Sequence, residues 1–345
     1  MRLRVLAGPT ALAHIQQHGL RADDISTLVG ASGGPKWFSL FGLDQYLAGE
    51  YFKGRQQPLQ LLGSSAGAWR FACYAQQDPV AASQRFCDAY STLCYPAKAS
   101  SKEITAISMT VIARVFPDSD KIRQVISNPV YKLNFTVARA RALNRSRHKI
   151  GQLAGLSLTA AANLTSRRHL RFFFERCLFH APGSQLIQTQ LTDLPTRRIE
   201  LTEHNLLPAL QASGSIPLVL DAVQDILGAG KGLFYDGGVT DYHFDWPFSQ
   251  QGLVLYPHFY PHIAPGWFDK SLPWRRKFSP HYHNVVLLCP SQSWIASLPA
   301  GKIPDRKDFR LPDATRIRHW QEVISRSFEL AEDFKTGNYQ LEPLY

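Results

Sequence analysis

The sequence predicts an α/β fold, a mostly parallel central sheet covered by helices, and three observations carry that prediction. Apolar β-like runs alternate with helix-forming stretches at the front of the chain, the pattern of strands joined by crossover helices. Leu59-Gln60-Leu61-Leu62 runs through Gly63-Ser64-Ser65-Ala66-Gly67 into the helix-forming Ala68-Trp69-Arg70-Phe71-Ala72-Cys73-Tyr74-Ala75, a strand, a turn and a helix in succession. Further on, the apolar stretch Leu233-Phe234-Tyr235 stops in Asp236-Gly237-Gly238, a strand closed by a tight turn.

Strands are expected near 25–31, 58–63, 130–142, 168–180, 196–202, 232–236, 252–259 and 284–289. Helices are expected near 35–50, 65–77, 80–92, 204–213 and 313–334. The first of these opens on Pro35, which suits an initial helical turn. The last starts at Asp313 behind Pro312 and repeats Ile317, Trp320, Ile324, Phe328 and Ala331 at helical spacing, which predicts a core-facing stripe. Segments 95–125 and 144–166 follow no sheet pattern, and either cover the mouth of a site or are plain insertions. No repeat or low-complexity linker divides the chain, so one domain over residues 1–345 is expected.

With 345 residues, 45% of them hydrophobic and 12% aromatic, the chain can bury a large core. No apolar run reaches the length of a membrane span. The stretch Met1-Arg2-Leu3-Arg4-Val5-Leu6-Ala7-Gly8-Pro9 is too short and too soon broken for a signal peptide, which points to the cytoplasm. Five cysteines, Cys73, Cys87, Cys94, Cys177 and Cys289, lack metal-ligand spacing and read as mostly buried thiols. The net charge of +11 is uneven. Residues 139–176 hold Arg139, Arg141, Arg145, Arg147, Lys149, Arg167, Arg168, Arg171 and Arg176 against Glu175 alone, a composition that suits an anionic membrane surface, a nucleic acid or a plain solvated face.

Chemistry concentrates in two glycine-rich stretches. The pattern G-x-S-x-G fits both Gly30-Ala31-Ser32-Gly33-Gly34 and Gly63-Ser64-Ser65-Ala66-Gly67, and the residues on the C-terminal side of each serine tell the two apart. Helix formers come after Ser65, so its hydroxyl is placed at a helix N-terminus where free N–H groups favour a developing anion. Gly-Gly-Pro-Lys comes after Ser32, so that loop suits backbone donors brought close to an oxygen. Ser65 is therefore read as the nucleophile and the loop of Gly33 and Gly34 as an oxyanion hole. A P-loop is excluded because Pro35 stands where a glycine must precede Lys36, and no dinucleotide fingerprint follows either strand.

In order, the loop with its basic Lys36, the Ser65 elbow and Asp236-Gly237-Gly238 resemble the patatin-like phospholipases, lipid acyl hydrolases with a Ser–Asp dyad. Ala212-Ser213-Gly214-Ser215-Ile216-Pro217 resembles the small-residue segment those proteins carry ahead of the aspartate. The resemblance spans residues 30–238 and departs from the family's loop at Ser32, in place of its first glycine, and at Trp37, in place of its last. It implies a three-layer α/β/α domain that cleaves carboxylic esters of lipids without a cofactor. Ser65 would be the nucleophile, Asp236 the base, and Gly33 and Gly34 the oxyanion donors. Ser32, whose N–H can still donate, would support them with Lys36, Gly63, Ala66, Gly67, Gly237 and Gly238. A lipid substrate makes an anionic membrane the favoured partner of the basic segment, ahead of nucleic acid.

Two other readings stand beside this one. His243, His258, His262, His281 and His283 all follow Asp236, so chain order also permits a Ser–His–Asp triad. A catalytically silent lipid- or nucleic-acid-binding protein could share the fold. His258 with His262 and His281 with His283 invite a metal, but no Glu or Cys stands at matching spacing, so none is expected.

Overall fold

The computed structural model describes residues 1–249 and 251–345. Eleven strands form one sheet: β1 (Leu3–Ala7), β2 (Ile25–Gly30), β3 (Leu59–Ser64), β4 (Tyr131–Ala140), β5 (Phe174–His180), β6 (Thr196–Glu200), β7 (Val223–Ile226), β8 (Gly230–Asp236), β9 (Leu253–Pro257), β10 (Val285–Pro290) and β11 (Tyr339–Pro343). Among the described residues ten α-helices accompany them: α1 (Pro9–His18), α2 (Phe41–Tyr46), α3 (Ala66–Tyr74), α4 (Pro79–Ser91), α5 (Ser101–Val115), α6 (Ser119–Ser127), α7 (Lys149–Thr165), α8 (Leu206–Gly214), α9 (Gln292–Ala296) and α10 (Asp313–Lys335).

The spatial order is β11-β1-β10-β9-β2-β3-β4-β5-β6, with β8 against β4 and β7 against β8. Pairing is parallel from β10 through β4 and antiparallel where β1 meets β10, β5 and β8 meet β4, and β7 meets β8. Every residue of β3, β5, β9 and β10 is buried, which requires cover on both faces of the sheet. The architecture is therefore α/β with a mostly parallel central sheet between helical layers, as the alternating pattern predicted.

All eight expected strands form, and β1, β7 and β11 are additional. β1 is a five-residue strand whose partners, β10 and β11, lie about as far along the chain as they can. The strand expected from 168 begins only at Phe174, because Arg167–Phe172 forms a tight 3-10 turn. The helix expected over 35–50 is a 3-10 turn (Gly34–Leu40) running into α2. In α10 the buried face is rotated from the expected stripe. It comprises Arg316, Trp320, Val323, Ser327, Leu330, Ala331, Asp333 and Phe334, so Trp320 and Ala331 of the expected stripe are buried while Phe328 is 46% exposed. The cause is a close crossing with α2: Ser327 Oγ accepts the Gly42 N–H at 2.8 Å, so Ser327 and not Phe328 faces inward. Four of the five thiols are buried, and Cys94 is exposed.

Candidate active site

The sheet's register brings the two motifs together. β3 runs parallel to β4 and ends with Ser64 opposite Thr136, while β8 runs antiparallel to β4 and ends with Asp236 opposite Val137. Two strands thus terminate head-on at adjacent residues of β4. Ser65, one residue past β3, lies against Asp236, the last residue of β8, and Ser65 Oγ donates to Asp236 Oδ2 at 2.7 Å.

Ser65 sits at φ 52°, ψ −124°, a conformation that a non-glycine residue adopts only under strain, in a sharp strand-to-helix turn. The flanking glycines make the turn possible. A Cβ on Gly67 would lie 2.0 Å from the Gly30 carbonyl oxygen, and one on Gly63 would lie 2.5 Å from the backbone of Gly67. Ser213 Oγ accepts the Ser65 N–H at 3.0 Å and donates to the Thr136 carbonyl at 2.9 Å, fixing the elbow from beneath. Behind it, Arg70 of α3 forms a fully buried two-pronged pair with Asp44 of α2, both bonds 2.7 Å.

Asp236 is 7% exposed. Its N–H donates to the Ser215 carbonyl at 2.9 Å, and Oδ1 accepts the Gly238 N–H at 2.7 Å, so Oδ2 is aimed at the serine. Burial raises the carboxyl above the usual range, while the Ser65 hydroxyl and Gly238 N–H hold it partly down. The turn after it is braced by Asp241, whose N–H reaches the Gly237 carbonyl at 2.8 Å and whose own carbonyl accepts Ser64 Oγ at 2.6 Å. Arg176 secures Asp241 through two 2.7 Å bonds and binds Asp193 through two more at 2.8 Å.

In the loop, Gly34 takes φ 55°, and among the described residues neither the Gly33 nor the Gly34 N–H donates to a protein acceptor. Ala66, at the first position of α3, likewise presents an N–H that its own helix leaves unpaired. Ser32 differs from the expectation: its N–H is already engaged by the Tyr242 carbonyl at 2.9 Å, and its Oγ lies 2.6 Å from Ser64 Oγ. It therefore ties the loop to the elbow. The Trp37 ring is fully buried and stacks on Phe86 with centroids 4.7 Å apart.

Two cavities meet at Gly34, Ser65, Ile216, Arg306 and Lys307. One, of about 490 Å³, is apolar, with Trp69, Phe86, Leu93, Ile104, Met109 and Phe309 among its lining residues. Its lining includes residues of α5, within the 95–125 segment, whereas no residue of 144–166 lines either cavity. The other, of about 260 Å³, is lined by the carboxylates of Asp236 and Asp305 and by the cations Lys36, Lys270, Arg306 and Lys307. Among the described residues these four cations form no salt bridge, and Asp305 is engaged by Lys302 at 3.4 Å. Burial, then the neighbouring Arg306, lowers the Lys270 ammonium to about 7, against the pull of Asp236. Burial likewise lowers Lys36. No local motif marks Lys270 or Arg306, since both sit in the tail beyond residue 250 and reach the site only through the fold.

None of the five candidate histidines hydrogen-bonds Ser65 or Asp236 among the described residues. His243 is buried with Nδ1 accepting the Ala264 N–H at 2.8 Å, its ring edge-on to His258 at 4.3 Å. Burial drives His243 well below its ordinary value and His258 to about 3, so both rings are neutral. Among the described residues no three His, Cys, Asp or Glu side chains cluster as metal ligands, and no helix is long and apolar enough to cross a membrane.

The chain matches no family model and no curated protein. Among solved structures it is similar to VipD from Legionella pneumophila, with 14% identity over 68% of this chain and a TM-score of 0.33; the match spans half the length of that protein.

Proposed function

We propose that the chain is a serine acyl hydrolase acting on lipid esters, with Ser65 as nucleophile and Asp236 as base. The observation that carries the reading is the direct 2.7 Å bond from Ser65 Oγ to the buried Asp236 Oδ2, at a strained elbow with no histidine between them. Asp236 takes the hydroxyl proton as Ser65 Oγ attacks the ester carbonyl carbon. The resulting oxyanion is met by the N–H groups of Gly33, Gly34 and Ala66, each worth about 3 to 4 kcal/mol when well aimed. Asp236 returns the proton to the departing alcohol and leaves an acyl-Ser65 ester. Water then attacks that ester, gives its proton to Asp236 and releases the acid, and Ser65 Oγ regains the proton. An aspartate starts about 2.6 pH units below histidine as a base, and the burial that raises Asp236 narrows that gap.

The apolar cavity suits an acyl chain, and the cationic one suits a negative group on the same substrate, as in an anionic phospholipid or lysophospholipid. Lys270, at about 7, is charged below neutrality and discharged above it. The preference for an anionic lipid over a neutral ester of the same acyl chain should therefore fall as pH rises from about 6 to about 8. Lys270→Met should cost about tenfold or more in kcat/KM on the anionic substrate at the lower pH, the scale of a lost charged hydrogen bond, and should abolish the pH trend. Fatty-acid release measured for both substrates checks this. Release no greater than that of Ser65→Ala, or an anionic preference independent of pH and of Lys270, would contradict it.

A further inference from the structure

Helix α7 is built inside out. Its inward face carries Gly155, Leu156, Thr159 and Asn163, all buried. Polar bonds hold that face: Asn144 Nδ2 donates to Thr159 Oγ1 at 2.9 Å, and Asn163 Nδ2 donates to Asp269 Oδ1 at 2.8 Å. The outward face is aliphatic, with Ile150 85% exposed and Leu153, Leu158 and Leu164 each at least half exposed. Helical spacing puts Ile150, Leu153, Ser157, Ala161 and Leu164 on the outward side of the helix, with the exposed Ala154 and Leu158 along its flank. Leu143 and Phe172, just beyond the two ends, are exposed as well. Single exposed leucines are ordinary in a water-soluble protein, but a run of this kind marks a surface that something covers.

Charge identifies what covers it. Arg145, Arg147 and Lys149 precede or open the helix, Arg168 and Arg171 follow it, all five are exposed, and no Asp or Glu occurs between Arg141 and Phe174. Leucine and isoleucine on one face with lysine and arginine at its margins is the composition of a helix lying in a membrane interface, where the aliphatic side chains enter the acyl region and the cations meet anionic headgroups. A protein partner matching the aliphatic stripe would gain little from so uniform a positive rim.

We propose that α7 is an interfacial helix that docks this chain on anionic lipid bilayers. The proposal rests on the lipid-ester reading for its purpose, and the fold connects the two. Asn163 is bonded to Asp269, the neighbour of Lys270 in the cationic cavity, and Gln152 Nε2 donates at 3.1 Å to the Tyr235 hydroxyl, one residue before Asp236. A bilayer under α7 therefore lies next to the elements that carry the site. Of the nine basic residues in 139–176, only the exposed ones are free to meet headgroups. Arg176 is fully buried, and Arg139 and Arg167 are paired with Glu175 and Asp269.

The test uses the full chain carrying Ser65→Ala, so that binding is read without hydrolysis. It should sediment with vesicles of phosphatidylcholine mixed with phosphatidylglycerol far more than with phosphatidylcholine alone. Affinity should fall steeply as salt shortens the Debye length from about 10 Å at about 0.1 M to about 3 Å at about 1 M. Leu153→Glu with Leu158→Glu should weaken vesicle binding about tenfold or more, and Arg145→Gln with Arg147→Gln and Lys149→Gln should weaken it by about fivefold per charge. Both sets, made with Ser65 intact, should leave hydrolysis of a soluble short-chain ester unchanged. Equal binding to neutral and anionic vesicles, or full binding by the Leu153→Glu, Leu158→Glu protein, overturns the proposal. So does a dimer that those substitutions split while vesicle affinity stays the same. Vesicle binding by the Ser65→Ala chain without ester hydrolysis by the intact one would instead remove the enzymatic reading and leave the docking surface standing.

Discussion

Asp236→Asn is expected to lower turnover about 10⁴-fold, the upper end of what a general base contributes, and at the same time to raise thermal stability at neutral pH. The first effect follows because the asparagine amide cannot accept the Ser65 proton and no histidine is placed to substitute for it. Gly238 can still donate to the remaining carbonyl oxygen, so the turn should survive. The second effect follows from the sign of the pKa shift. Burial raises the Asp236 carboxyl in the folded chain above its unfolded value. Between those two values the native state binds more protons than the unfolded one, so stability falls as pH rises through that window, and at neutral pH the charge opposes folding. A neutral isostere removes the opposition. Kinetics on a soluble ester together with thermal unfolding at neutral pH check both halves. Activity for wild type should also decline as pH falls through the raised carboxyl value. A destabilised Asp236→Asn with substantial residual activity would mean that the carboxylate is structural. Alanine at His243, His258, His262, His281 or His283, one at a time, should leave most of the chemistry in place.

Arg176→Met is expected to cost about 3 to 5 kcal/mol, the effect of removing one partner from a buried ion pair, which is a large part of the roughly 5 to 15 kcal/mol typical of a folded domain. Asp241, only 1% exposed, would keep the Trp246 indole N–H at 2.9 Å and the Thr240 hydroxyl at 2.9 Å but lose both guanidinium bonds. Its backbone anchors Ser64 and Gly237, so the dyad should loosen with it. Adding Asp241→Asn should recover part of the loss by removing the orphaned charge, and Arg147→Gln, at an exposed position, should change stability by no more than about 0.5 kcal/mol. Denaturant unfolding of these chains separates the cases. Equal small effects at Arg176 and Arg147 would contradict the structural role.

What the sequence made legible was local. The elbow is a short-range geometric demand, since Gly63 and Gly67 must let α3 come down onto Gly30, and so it is written in five consecutive residues. Asp236 was equally legible, as a carboxylate at the end of an apolar strand. The charges of 139–176 were legible as a run, yet their division was not. Arg176 turns inward because Asp193 and Asp241, 17 and 65 residues away, meet it there. Lys270 and Arg306 carry no motif and enter the cationic cavity through tertiary folding. The outward aliphatic face of α7 was not legible at all, because apolar periodicity ordinarily signals a buried face and only the structure shows Gly155, Leu156, Thr159 and Asn163 turned inward instead. The stripe of α10 shifted for a related reason: its pattern fixes a helix, while the crossing with Gly42 decides which residues face in.

The role of Ser65 as the nucleophile, activated by Asp236, is tested most directly by treating the intact protein with a fluorophosphonate and mapping the adduct by peptide mass spectrometry. Stoichiometric phosphonylation of Ser65 is expected, absent in Ser65→Ala and strongly slowed in Asp236→Asn. An adduct on Ser32, or labelling that persists in Ser65→Ala, would contradict it.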